Sequence, residues 1–222
     1  TRLCDGAALT YPMRMGCCLS RMGSFRLRHF RRLPCRLPVL LGTTAIALVA
    51  NLSSSHADTV IWGGTQSSNW AVDNNWFRIG GASTVPTAAD DVFFNTTAPS
   101  AVLSSGSGYS RGIVVGQANY TGAFTISSGA ALNSSGSAFI GYDQHANGTV
   151  TVTGTNSTWN ITNSALYVGY YGTGTLNLAA GGAVGASQVS IGNYASGAGA
   201  VTIDGTGSLL LAFNSMTIGE YG

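Results

Sequence analysis

The chain has 222 residues, 31 of them glycine, and only 8% are charged, with no lysine. Hydrophobic residues make up 45% of it, which excludes the apolar-poor, charge-rich composition of a disordered chain. The formal charge of +2 is segregated: eight of the ten arginines lie at or before Arg36, and from Asp58 onward two arginines face seven acids, a net charge of −5 with no basic stripe for a nucleic-acid backbone.

Residues 1–57 are expected to be an upstream basic segment and a secretory signal peptide. Met22 is the expected start. A basic stretch from Arg26 to Arg36 precedes a mostly apolar run from Leu37 to Leu52, and Ser55-His56-Ala57 carries small residues at the two positions a signal peptidase inspects. Cleavage after Ala57 leaves Asp58 as the first mature residue. The apolar run has 16 residues, short of the roughly 20 needed to span a bilayer, which favours a cleaved signal over an anchor. All four cysteines (Cys4, Cys17, Cys18, Cys35) precede it, so the body contains no disulfide, thiolate metal site or cysteine nucleophile.

Residues 58–111 are expected to form an N-terminal cap and transition. They hold Trp62, Trp70 and Trp76, then Val85-Pro86 and Asp90-Asp91. Large aromatics are mostly buried, so the three tryptophans are read as the core of the cap in preference to a sugar-stacking platform. Val92–Phe94, Ala101–Leu103 and Ile113–Val115 are expected to lead into the first coil.

Residues 112–222 carry internal repeats. Gly122, Gly148, Gly174 and Gly199 each open a segment of the form Gly-x-apolar-x-apolar, at spacings of 26, 26 and 25 residues. A second anchor interleaves: Phe139-Ile-Gly141, Tyr167-Val-Gly169, Ser190-Ile-Gly192 and Thr217-Ile-Gly219. Each repeat is read as three short strands, as in Val150/Val152, Trp159/Ile161 and Leu166/Val168, because period-2 alternation sends one set of side chains inward. One repeat cannot bury those side chains alone, so the repeats must stack. Turns alternate: Ser128-Gly129 and Gly181-Gly182 in the first and third repeats, Gly154-Thr-Asn-Ser157 and Gly205-Thr-Gly-Ser208 in the second and fourth, a doubled unit of 51 to 52 residues. The expected fold is all-β, a right-handed parallel β-helix (solenoid) of about 26 residues per coil.

The string from Gly148 to Gly174, GTVTVTGTNSTWNITNSALYVGYYGTG, resembles the repeat of type V secretion (autotransporter) passengers and PEP-CTERM-associated exported proteins. The arrangement of Trp62-Gly-Gly64, Asn69-Trp70, Val85-Pro86 and Asp90-Asp91-Val92 is similar to the opening of the same proteins. The resemblance implies the N-terminal part of a passenger domain at the cell surface or outer membrane of a Gram-negative bacterium, or released from it. It implies a structural or adhesive scaffold without catalytic activity and leaves open a host-surface or matrix glycan or protein as ligand. It also implies an outer-membrane translocator beyond Gly222. A PEP-CTERM-type exported matrix protein is the alternative; a polysaccharide-acting or glycan-binding β-helix is a weaker one.

No catalytic, cofactor-binding or metal residue is assigned. Asp90 and Asp91 are adjacent, and neighbouring strand residues point to opposite faces, which is poor geometry for a carboxylate pair. Asp143 and Asp204 lie in or beside turns, where aspartate bonds to the backbone. His145, the only histidine of the body, sits in a Gln-His-Ala-Asn-Gly turn without triad or metal spacing. Tyr142, Tyr170 and Tyr194 follow the apolar-Gly anchors at near-equivalent positions and are expected to form a ladder with Tyr221 close to it.

Overall fold

Alternating apolar and polar residues favour short pleated strands, and the described residues form fifteen of them. The structure, a computed structural model, describes residues 57–96 and 99–221. The signal peptide expected over residues 22–57 lies outside the described residues, apart from Ala57.

β1 (Thr59–Trp62) and β2 (Trp76–Arg78) flank a short 3-10 turn at Asp73–Asn75. A three-part cycle then begins with β3 (Asp91–Phe94), β4 (Ala101–Leu103) and β5 (Ser107–Ser110). It repeats in β6 (Gly112–Val115), β7 (Thr121–Ile126) and β8 (Ala131–Ser134). The third coil takes β9 (Ala138–Ile140), β10 (Asn147–Thr153) and the first half of β11 (Thr158–Val168). The fourth takes the rest of β11, then β12 (Thr173–Ala179) and the first half of β13 (Ala183–Ile191). The fifth takes the rest of β13, then β14 (Ala198–Asp204) and the first half of β15 (Leu209–Ile218). The molecule is a parallel β-solenoid of about five turns and about 26 residues per coil. One sheet runs β14-β12-β10-β7-β4, and the other strands form a second, bent sheet.

The register bears out the repeat. Gly122, Gly148, Gly174 and Gly199 are direct neighbours across β7, β10, β12 and β14. Two inward columns follow from each leading glycine, Phe124–Val150–Leu176–Val201 and Ile126–Val152–Leu178–Ile203. All but the last member of each are fully buried or nearly so. Full burial of such a side chain contributes about 1.5–3 kcal/mol, more than the net ~1 kcal/mol of a ladder hydrogen bond. The columns therefore drive stacking, and the hydrogen bonds set its register. At the β14/β15 edge the inward columns end on Ile203, Met216 and Ile218, which are exposed.

Two expectations are refined. The second and third strands of a coil are continuous in β11, β13 and β15, because the corner between them is turned inside the strand. Asn163 has φ 56° in β11, and the register shifts between Ile161 and Ala165. The coils also begin earlier than residue 112. β3, β4 and β5 pair in parallel with β6, β7 and β8, so the expected transition is already a full coil.

The two glycine anchors are one device. A Cβ at Gly148 would lie 2.2 Å from the Val115 carbonyl oxygen and 2.5 Å from the Gly141 nitrogen. A Cβ at Gly141 would lie 2.3 Å from the Thr173 carbonyl oxygen. Consecutive passes of the chain close on each other there at backbone distance, and no side chain fits between them.

The cap is aromatic, as expected. Trp62, Trp70 and Trp76 are at most 2% exposed, which removes the sugar-platform alternative for them. Trp70 and Trp76 meet edge to face at 4.7 Å, and both contact Phe94. Phe94 stacks on Phe124 at 4.7 Å, and Phe124 meets Trp159. One aromatic column thus runs from the cap through three coils. Three of its indole N–H groups have partners within the fold: Trp62 donates to the Pro99 carbonyl, Trp76 to that of Trp70, and Trp159 to Ser134 Oγ.

Candidate functional site

Outward positions of a parallel solenoid also fall into columns, so a repeated residue type becomes a stripe along the molecule. On β9, β11, β13 and β15 one column reads Phe139, Tyr167, Ser190, Thr217. The rings of Phe139 and Tyr167 stack at 4.9 Å and 7°, and the two positions above them are small and polar.

The tyrosine ladder forms beside this column, with a dislocation: the rings stand one residue after Gly141 and Gly169 but two residues after Gly192 and Gly219. Tyr142 stacks on Tyr170 at 5.5 Å and 3°. Tyr194 stacks instead on Tyr171, at 4.1 Å and 15°, and Tyr221 stacks on Tyr194 at 5.4 Å and 13°. The backbone explains the step. The Tyr170 N–H bonds to the Gly141 carbonyl and the Asn193 N–H to that of Gly169, so Asn193, and not Tyr194, stands above Tyr170. Tyr170 and Tyr171 together bridge the two files, with Tyr170 edge-on to Tyr194 at 5.0 Å.

The Asn193 file continues to Glu220. Asn193 is 5% exposed and Ser190 7%. The Asn193 Nδ2 donates to Ser190 Oγ at 3.0 Å and to Glu220 Oε2. Both amide hydrogens are spent in this way, and Asn193 Oδ1 has no protein donor among the described residues. Tyr167, Tyr170, Tyr194 and Tyr221 surround these groups and bound a notch of about 300 Å³ with Gln188 and Thr217.

Electrostatics in the notch follow from its phenols. The Tyr170 phenol is pushed above the ordinary tyrosine value, first by its hydrogen bond to Tyr194 and then by burial. Tyr171 is raised too, first by its own bond to Tyr194. Tyr194 accepts from both and is lowered. Among the described residues Glu220 is the only charged one lining the notch.

The remaining candidates stay apart. Asp90 and Asp91 face different partners: Asp90 is buried against Arg78, and Asp91 pairs with Arg111 at the surface. Asp143 Oδ2 accepts from the Ala118 N–H at 2.8 Å, in the turn one coil below. Asp204 is exposed, and its carbonyl accepts from Ser208 Oγ at 2.6 Å. His145 is exposed at φ 64°. Tyr120 is exposed and away from the ladder. Among the described residues no three His, Cys, Asp or Glu side chains gather into a cluster that could hold a metal ion.

Sequence reasoning missed three polar centres. Asn75 is fully buried, with its Oδ1 accepting from the Gln66 and Ser67 amides and its Nδ2 donating to Ser67 and Asn69. The Arg78 cluster and the Asn193–Glu220 pair join residues 6 to 27 positions apart. Only the Asn193–Glu220 pair had a signal: both residues directly precede ladder tyrosines.

Fold and face together define a β-solenoid that presents an aromatic ladder with a polar notch on one outer side. Compared with known proteins, the chain matches no family model, no curated protein and no solved structure.

Proposed function

We propose that this chain is part of an exported, cell-surface β-helical passenger that serves as a structural and adhesive scaffold without catalytic activity. The supporting observation is the stacked array itself. The coils form a rod held by inward columns, and its outward columns present hydroxyl, amide and phenol groups, such as Thr125–Thr151–Asn177–Thr202 along β7, β10, β12 and β14. Such a stack presents the same outward groups again in each coil, at the strand spacing of about 4.8 Å. The basic and apolar segment ending at Ala57 supplies the export half of the proposal.

The test is expression of the full chain in a Gram-negative host, with the N-terminus of the product read by mass spectrometry and its exposure probed by protease on intact cells. Export predicts Asp58 as the first residue and protection of the chain inside the cytoplasm in none of the product. A full-length chain retained in the cytoplasm would sink the export half. Cells that carry the chain at their surface, but adhere to matrix-coated plates no better than controls, would sink the adhesive half.

A further inference from the structure

We propose that the notch between Tyr167, Tyr170, Tyr194 and Tyr221 binds one ring of a neutral polysaccharide chain, with the rings as stacking walls and Asn193 and Glu220 as the polar floor. The proposal rests on the adhesive reading above for its biological use and names the ligand class of that surface.

The ligand chemistry follows from what the notch contains. Its walls are faces and edges of phenols, which suit a flat ligand with both C–H and O–H groups. The floor is polar: Asn193 and Ser190 are buried, while the Glu220 carboxylate beside them is open to solvent. Asn193 Oδ1 has no protein donor among the described residues, and among them Glu220 accepts from Ser190 and Asn193 on Oε2, which leaves Oε1 to face the notch opening. The floor therefore offers acceptors that call for hydroxyl donors. Gln188, exposed at the rim, adds an amide that can both donate and accept. Convergent polar groups inside an aromatic concavity are the usual make-up of a small-ligand pocket, and about 300 Å³ is the lower end of that range, suited to a single ring unit.

Charge selects among glycans. Among the described residues Glu220 is the one charged group in the notch, and from Asp58 onward the chain carries a net −5. Uronate and sialate chains would place like charge beside Glu220, so the neutral class is chosen. The dislocation of the ladder creates the notch: where Tyr142 and Tyr170 stack there is no gap, and where Asn193 and Glu220 replace the next two rings of that file a gap opens beside the Tyr194–Tyr221 file.

The experiment is calorimetric titration of the full chain with maltohexaose, cellohexaose, galactohexaose and hexagalacturonate, for the natural sequence and for Tyr170→Ala, Tyr221→Ala and Tyr120→Ala. At least one neutral hexaose should bind. Its affinity should fall about tenfold in Tyr170→Ala and Tyr221→Ala, as for the loss of one well-placed contact. It should be unchanged in Tyr120→Ala, and hexagalacturonate should not bind. Tyr221 is 63% exposed, so Tyr221→Ala carries the test even where Tyr170→Ala fails to fold. Unchanged affinity in folded notch variants, preference for hexagalacturonate, or no neutral binding at millimolar ligand would overturn the proposal. Adhesion of cells displaying the chain, measured in parallel, separates the two readings. Adhesion without neutral-hexaose binding overturns the notch assignment and leaves the scaffold reading standing. Notch binding without adhesion supports the notch assignment and overturns adhesion.

Discussion

Arg78 and Asp90 show how one buried pair closes the cap. The guanidinium reaches Asp90 Oδ1 at 2.6 Å and Oδ2 at 2.9 Å, Asp58 at 2.9 Å and Thr84 at 3.1 Å. Burial alone would push the Asp90 carboxyl up. The Arg78 hydrogen bonds, joined by the backbone and hydroxyl donors of Thr87, outweigh it and hold the carboxyl below the ordinary carboxylate range. A depressed folded pKa contributes stability that is fully present above the unfolded value near 3.8 and is lost as pH falls through the lower folded value. Arg78→Met leaves Asp90 buried without its charge partner, which costs about 3–5 kcal/mol at pH 7. The unpartnered carboxyl then has a raised pKa, so the variant gains relative stability as acid neutralises it. Urea unfolding of both proteins should show a wide gap at pH 7 that narrows below pH 4; equal gaps at both would contradict the assignment.

At the scale of elements, the alternation of turns has a mechanical cause. Ser157 Oγ accepts from the Gly129 N–H at 3.0 Å, and Ser208 Oγ accepts from the Gly181 N–H at 3.1 Å. Each serine-bearing turn thus caps the glycine-rich turn of the coil beneath it. The backbone shows the same doubled period, with left-handed Ser128 and Ala180 in one turn type, and left-handed Asn156 and Gly207 in the other. Ser157 is fully buried, whereas Ser208 is partly open to water. Ser157→Ala removes this bond and leaves a void where a fully buried hydroxyl stood, which should cost about 1 kcal/mol. Ser208→Ala should cost clearly less, because water can replace the hydroxyl. Parallel urea titrations of the two variants check the order, and equal, negligible shifts would remove the capping role.

Across the whole molecule, each coil contacts chiefly its neighbours, so stability is a sum of coil and interface terms. β10 and β12 are covered on both sides by paired strands. Among the described residues β14 and β15 pair on one side only, and they carry exposed Ile203, Phe213 and Ile218. Native-state hydrogen exchange should therefore be slowest in β10 and β12 and fastest in β14 and β15, with the cap held by its tryptophans. Uniform protection along the described chain would show all-or-none unfolding instead.

The residue alternation and the two glycine anchors determined the coil length, the inward columns, the buried tryptophans and the doubled period. These are local or strictly periodic properties, and a parallel stack in register repeats them without change. Only the tertiary structure decided that β3 to β5 already form a coil, since their pairing partners lie 20 or more residues away and their own turns are irregular. It also decided that Arg78 gathers Asp58, Thr84 and Asp90, that Tyr194 stacks on Tyr171, and that Asn193 bonds to Ser190 and Glu220. The one-residue offset beneath that arrangement is legible in the sequence, since Tyr142 and Tyr170 directly follow Gly141 and Gly169 whereas Asn193 and Glu220 directly follow Gly192 and Gly219. What the rings and amides then touch depends on contacts between coils, which no single repeat contains.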